Sequence, residues 1–120
     1  MDDLSHLKDE SFCYLTTHGR VSGQPHEIEI WFALRGTTIY MLSGGGERSD
    51  WVRNILATPH VRVRIRDGEF EGRGRVVDLA EEEEWVRETM LAKYAPGYGG
   101  DLTGWGRSAL PVAVELVIEE

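Results

Sequence analysis

Cysteine is all but missing: the single Cys13 permits no internal disulfide and has no second thiol with which to build a metal site. Long apolar runs are missing as well, and no stretch approaches the roughly 20 residues that a membrane-spanning helix needs. Positive charge is scarce. Thirteen Lys and Arg stand against 21 Asp and Glu, for a net charge of −8, and a chain without a basic face has little affinity for a phosphate backbone. Nucleic acid is therefore not an expected partner. The opening Met1-Asp2-Asp3 has neither the basic nor the apolar region of a secretory signal, so the cytoplasm is the expected compartment. The histidines, His6, His18, His26 and His60, show no paired spacing, and no metal is expected from the sequence. What is present is ordinary: 120 residues, 41% hydrophobic and 28% charged, suit one compact domain spanning 1–120.

The acidity is concentrated at two places. Residues 1–10 carry four acids and one Lys, and residues 78–88 carry six acids and one Arg. Between them, residues 11–77 hold nine Arg, no Lys and seven acids, a mildly positive middle. Guanidinium groups that converge there can clamp one phosphate or carboxylate bidentately, which suits a small anionic ligand better than a polyanion.

Hydrophobic periodicity predicts six strands and two or three helices, without a βαβ rhythm. Strands are expected at 12–17, 26–34, 38–42, 61–66, 69–77 and 111–118. Over 26–34, Ile28, Ile30, Phe32 and Leu34 share one face. A short amphipathic helix is expected at 3–10, a second at 50–57 with Ser49 as N-cap and Pro59 as its stop, and a third at 80–93. Asp67-Gly68 reads as a two-residue hairpin turn that sets Ile65 opposite Phe70 and Arg64 opposite Glu71. Gly72 and Gly74 fall on the inward face of the returning strand, where glycine marks bending or close backbone approach. Residues 95–107 read as glycine-rich loop. The expected architecture is mainly β, an antiparallel six-stranded barrel, partly open, with helices packed outside.

Two loops carry the residue types of an anion site. Thr16-Thr17-His18-Gly19-Arg20-Val21-Ser22-Gly23-Gln24-Pro25 offers glycine amides, hydroxyls and a guanidinium. Ser43-Gly44-Gly45-Gly46-Glu47-Arg48-Ser49 feeds a helix N-terminus. Either loop also reads as a plain structural turn; their shared flanking of one hairpin, with Arg20, Arg48 and Arg53 nearby, points to a phosphorylated ligand.

These strings, together with Trp31-Phe32 and Asp50-Trp51-Val52-Arg53-Asn54-Ile55-Leu56-Ala57-Thr58-Pro59-His60-Val61, resemble the deazaflavin-dependent nitroreductase family of the split β-barrel flavin/deazaflavin oxidoreductase superfamily. The resemblance covers roughly 12–118. It implies a split barrel that binds coenzyme F420, the first loop holding phosphate and acidic tail through Arg20, Ser22, Gly23, Gln24, Pro25 and His26. It further implies that Trp31 lines the deazaflavin slot and that Ser43, Gly44, Gly45, Trp51 and Asn54 complete the ring and tail contacts. Arg48 and Arg53 stand where they can replace the Lys that relatives often carry in place of Gly44. Val21 and His26 also stand where many relatives have basic residues, which keeps FMN open as the alternative cofactor. The implied activity is hydride transfer from reduced F420 to an electron-poor small molecule, a quinone, nitroaromatic or activated alkene, with a non-catalytic flavin carrier as the competing reading. Tyr94 or Tyr98 is a candidate proton donor or substrate contact, in a segment, 94–105, that can serve as a lid. Split barrels often pair, so a homodimer is expected.

Overall fold

The computed structural model describes residues 4–118. Seven strands form one antiparallel sheet: β1 (Cys13–His18), β2 (Pro25–Ile30), β3 (Ala33–Arg35), β4 (Thr38–Ser43), β5 (His60–Ile65), β6 (Gly68–Val76) and β7 (Leu110–Val117). Their spatial order is β2-β1-β5-β6-β7-β4-β3. Three helices accompany them, α1 (Asp50–Ala57), α2 (Ala80–Tyr94) and α3 (Thr103–Ser108). β2 and β3 occupy opposite edges of the sheet although two residues separate them in sequence, so the sheet must curl until its edges meet.

That crossing explains why the six-strand expectation is one short. The run 26–34 is continuous in hydrophobic pattern, but it leaves one edge at Ile30 and joins the other at Ala33. The expected helix at 3–10 is a single 3-10 turn, Ser5–Leu7, and its expected first residue, Asp3, lies outside the described residues. Its apolar face survives, with Leu4 and Leu7 both buried. Within the stretch read as loop, 95–107, α3 forms despite Gly104 and Gly106. Gly106 is there for contact: a Cβ would lie 2.6 Å from the Leu91 side chain, so glycine lets α3 lie against α2.

The β5–β6 hairpin also differs from its expected register. Ile65 pairs with Gly68, Arg64 with Glu69 and Val63 with Phe70. The turn residues are therefore Arg66 and Asp67, and Arg66 adopts a left-handed φ of 56°. A slip of two residues leaves every side chain on its expected face, and it preserves opposite-charge pairing, so alternation alone could not distinguish the two registers.

Two cores lie on the two sides of the curled sheet. The inner one gathers Leu15, Phe32, Ile39, Met41, Val61, Val63, Ile65, Val112 and Val114, closed at one end by Val52 and Ile55 of α1. Gly74 makes that closure possible, because a Cβ there would sit 2.7 Å from Ile55 Cγ2. Cys13 is buried in the same core, and desolvation pushes its thiol up to about 12, which leaves it inert. The second core packs Val86 and Met90 of α2 onto Tyr40, Leu42 and Ala113, the outward side chains of β4 and β7. Both faces of β4 are buried, and its run from Ile39 to Leu42 is apolar on both.

α2 is bolted to the sheet by charge. Arg75 of β6 donates to both oxygens of buried Glu82, at 3.0 and 2.6 Å, and to Glu115 at 2.9 Å; the Tyr40 hydroxyl also donates to Glu82, at 2.6 Å. The Arg75 hydrogen bonds hold the Glu82 carboxyl down to about 2, against the opposing effect of burial. A carboxyl lowered from 4.5 stabilises the fold fully above that value and loses the contribution as pH falls toward 2. Denaturant midpoints should fall across that acid window, and Glu82→Gln should remove this part of the fall. The turn makes a second prediction. Arg66→Gly should preserve or raise stability, and Arg66→Val should lower it by about 1 kcal/mol, since a left-handed backbone is free to glycine and crowds a β-branched side chain more than an unbranched one; urea unfolding of both variants checks the register.

Candidate functional site

The loop joining β1 to β2 closes on itself. The Gly19 amide donates to the Gln24 carbonyl and the Gly23 amide to the Gly19 carbonyl, each at 2.8 Å, and the Gln24 amide donates to Ser22 Oγ at 3.1 Å. Gly23 has φ +75°, and a Cβ on Gly19 would stand 2.7 Å from His26 Nε2 and 2.8 Å from Ser22 Oγ. These two glycines are required by the turn itself, before any ligand is considered.

Arg20 projects from this loop toward α1, where Asn54 receives it. The Arg20 amide and Nη1 both donate to Asn54 Oδ1, at 3.1 and 2.9 Å, while Asn54 Nδ2 donates to Thr17 Oγ1 at 3.0 Å. Asn54 is only 3% exposed, so a buried amide with all these partners acts as the strut between strand, loop and helix. Arg20 Nη2 also meets Asp50 Oδ1 at 3.1 Å. That contact is worth little, because the Asp50 side chain is 86% exposed. The result is a guanidinium pre-positioned on the wall of a cleft of about 520 Å³, lined by Thr17, Gly19, Ser22, His26, Ile28, Trp51 and Asn54 among others.

The second loop is pinned internally. The hydroxyls of Ser43 and Ser49 are 2.7 Å apart, and Ser43 Oγ donates to the Gly46 carbonyl at 3.0 Å. Ser49 occupies the N-cap position of α1, yet its hydroxyl makes no cap bond, because Ser43 engages it instead. Gly45 admits the Ser49 hydroxyl, which would be 2.6 Å from a Cβ, and Gly46 has φ +63°. Arg53 Nε donates to the Glu47 carbonyl at 3.4 Å.

An aromatic cleft of about 490 Å³ follows along β2, lined by Glu29, Ile30, Trp31, Leu42, Tyr98, Asp101, Leu102 and Trp105. Ile28 lines the first cleft and Ile30 the second, two positions apart on one face of the strand and so about 7 Å from each other. Trp31 stacks flat on Tyr94, with ring centroids 4.3 Å apart, and receives the edges of Tyr98 and Trp105. The Tyr94 hydroxyl accepts from the Phe32 amide at 2.9 Å and lies 2.9 Å from the Ser11 carbonyl and 3.1 Å from that of Phe32, to either of which it can donate. Burial pushes it up to about 12. Lys93 Nζ donates to the same Phe32 carbonyl at 2.8 Å, and burial brings its ammonium down to about 8. Tyr98, by contrast, is half exposed at the cleft.

The structure thus brings Arg20, Ser22, His26, Trp51 and Asn54 to one cleft, and Trp31 and Tyr98 to the next. It does not bring Gly23, Gln24, Pro25, Ser43, Gly45, Arg48 or Arg53 to either wall; Gly44 approaches the aromatic side, where a Cβ would lie 3.9 Å from Trp105. Sequence reasoning missed Thr17 as a strut and Asp50 as a partner of Arg20. It also missed Leu42, Leu102 and Asp101 as lining, since nothing in a local pattern places a strand end beside a distant loop.

A curled antiparallel sheet closed at a split, with a fixed guanidinium and an aromatic cleft in line along one edge strand, is a split-barrel architecture. The chain matches the F420H(2)-dependent quinone reductase family over residues 5–117 and belongs to that family. It is similar in structure to an F420-H2-dependent reductase, at 23% identity and TM-score 0.70 over 88% of this chain and 94% of that one. An F420 reductase matches at 20% identity and TM-score 0.68, over 98% and 96% of the two chains. The heme storage protein HutZ of Vibrio cholerae shares the fold at 14% identity and TM-score 0.75, over 97% and 89%. The family makes this chain an F420-dependent oxidoreductase. Its residues fit that cofactor: a cation held ready for a phosphate at one end, and a flat aromatic slot for a ring system further along.

Asn54→Leu should sever loop, strand and helix together. It leaves the Arg20 amide and the Thr17 hydroxyl without their partner, so thermal unfolding should show a loss of about 1–3 kcal/mol. F420 affinity should fall with it.

Proposed function

We propose that this protein carries a hydride from reduced F420 to a flat, electron-poor acceptor of the quinone type, with nitroaromatics and activated alkenes as further candidates. The observation that supports it best is the Arg20–Asn54 clamp in line with the aromatic cleft along β2. When bound, reduced F420 supplies the hydride. The chain's own residues bind, orient and shield. Arg20 holds the phosphate, with Ser22, Gly23, Gln24, Pro25 and His26 shaping the loop around it. Trp31 forms the wall of the ring slot with Gly44 beside Trp105, Trp51 and Asn54 line the phosphate end next to Arg20, and Ser43 and Gly45 shape the loop that leads into α1. Arg48 and Arg53 offer positive charge to the anionic tail. Tyr98 is the better placed of the two tyrosines to meet an acceptor or return a proton, because the Tyr94 hydroxyl is already engaged by backbone. Trp31 and Trp105, perpendicular to one another, give the acceptor a hydrophobic corner that excludes water.

The same reading extends to assembly and location. β2 leaves one edge of the sheet unpaired, which favours a second copy beside it, and one structural relative is described as a domain-swapped dimer (20% identity, TM-score 0.67). Among the described residues no helix is long and apolar enough to cross a membrane. The single buried thiol suits the cytoplasm.

Titration of the purified protein with F420 and FMN tests the reading. Arg20→Ala should weaken F420 binding by about 1.5–3 kcal/mol, the worth of a charge-assisted hydrogen bond; unchanged affinity would remove the phosphate role. If Arg48 and Arg53 meet the tail, affinity should fall as salt rises. The Arg48→Gln/Arg53→Gln pair should then flatten that dependence while leaving turnover at saturating cofactor nearly unchanged.

A further inference from the structure

The outer face of β1, β5 and β6 carries a constellation that the cofactor site does not use. Thr16 pairs with Arg62 across β1 and β5, and two residues further along the same ladder His18 stands beside His60. His18 Nε2 lies 3.4 Å from His60 Nδ1, the two rings inclined by 30° with centroids 5.6 Å apart. On its far side, His60 Nε2 lies 2.5 Å from Glu71 Oε1, and the other oxygen of Glu71 accepts from Arg62 Nε at 3.0 Å. In the tautomer with its proton on Nε2, His60 donates to Glu71 and turns the lone pair of Nδ1 toward His18.

This is the arrangement of a histidine prepared for a metal: one ring nitrogen anchored by a carboxylate, the other facing a second imidazole rather than a carbonyl or carboxylate. The spacing agrees, because two nitrogens each 2.0–2.1 Å from one tetrahedral ion stand about 3.4 Å apart. The shared proton between the rings moves to His18 Nδ1 when the ion takes its place, so no net charge need leave the protein. The pair borders a groove of about 320 Å³ lined also by Thr16, Pro25, the carboxylates of Glu27 and Glu69, and Arg62 and Arg64; Arg62 and Arg64 are paired with Glu71 and Glu27. No group of three or more His, Cys, Asp or Glu that could hold a metal occurs among the described residues. Two protein ligands therefore leave the remaining positions to water or to an external ligand. Imidazole donors select a borderline divalent ion over magnesium or calcium, which require oxygen.

We propose that His18 and His60 form a zinc site, with Glu71 positioning His60. The site is open and sits on the sheet's outer face; His18, His60 and Glu71 have no part in the reading given for the cofactor clefts, although Pro25 belongs to the phosphate loop and Glu27 borders both grooves.

Zinc titration of the cofactor-free protein, in competition with a chromophoric chelator, tests it. One equivalent should bind in the micromolar range. His18→Gln and His60→Gln should each weaken it at least tenfold, and Glu71→Gln, which removes no ligand, should weaken it by about tenfold through His60. His18 and His60 are exposed and Glu71 half-exposed, so the variants should stay close to the parent's unfolding midpoint. The zinc-induced change in ring NMR signals should fall on His18 and His60, a readout on the parent protein that needs no variant. Equal zinc affinity in the His18→Gln/His60→Gln double variant, no binding by the parent, or ring shifts confined to His6 or His26 would overturn the proposal.

Discussion

Two residues, Trp31 and Phe32, must carry the chain from one edge of the sheet to the other. Because β2 and β3 are those edges, the sheet can satisfy this connection only by curling almost shut, and the joint then has no ladder bonds of its own. Phe32 turns inward and is fully buried, while its amide and carbonyl are taken up by Tyr94 and Lys93 from the last turn of α2. A buried peptide group left unpaired would cost roughly 1–3 kcal/mol, so α2 must end here. Its position fixes the stacking of Trp31 on Tyr94, and with it one wall of the aromatic cleft. Closure of the barrel and construction of the site are one event.

The other end of the site depends on α1 in a similar way. Gly74 lets Ile55 press onto β6, which seats the helix over the barrel mouth, and Asn54, the next residue back, then points at the β1–β2 loop. The hydrogen-bonding capacity of one amide organises Thr17, Arg20 and the helix together. An arginine fixed in this way loses less conformational freedom when an anion arrives than a free surface side chain would.

Most elements and their buried faces could be read from the sequence because alternation and helical periodicity report burial directly. Ile39 and Met41 against Tyr40 and Leu42 separate into the two cores as their alternation requires. The split at Trp31 could not be read that way. A strand that changes sheet edge keeps its hydrophobic pattern, and only the pairing partners of Ile30 and Ala33 reveal the break. The hairpin register escaped for a related reason: Asp67-Gly68 is the stronger turn signal, yet the chain places Arg66 in the left-handed position. For the clefts, Arg20 and Trp31 could be named from residue type and family resemblance, and each lines one of them. The role of Thr17 was not, because its significance arises from a residue 37 positions away.

The place of β7 has a consequence for the order of assembly. It lies between β6 and β4, so it alone joins the four-strand sheet β2-β1-β5-β6 to the β4–β3 pair. It is also the last of these strands to leave the ribosome. Until it arrives, the two half-sheets share no hydrogen-bonded ladder, and the edges of β6 and β4 stand open to other chains. Loop closure over such distances in sequence is slow. Closure of the barrel therefore waits on β7, and the β6 and β4 edges stay exposed until it docks between them.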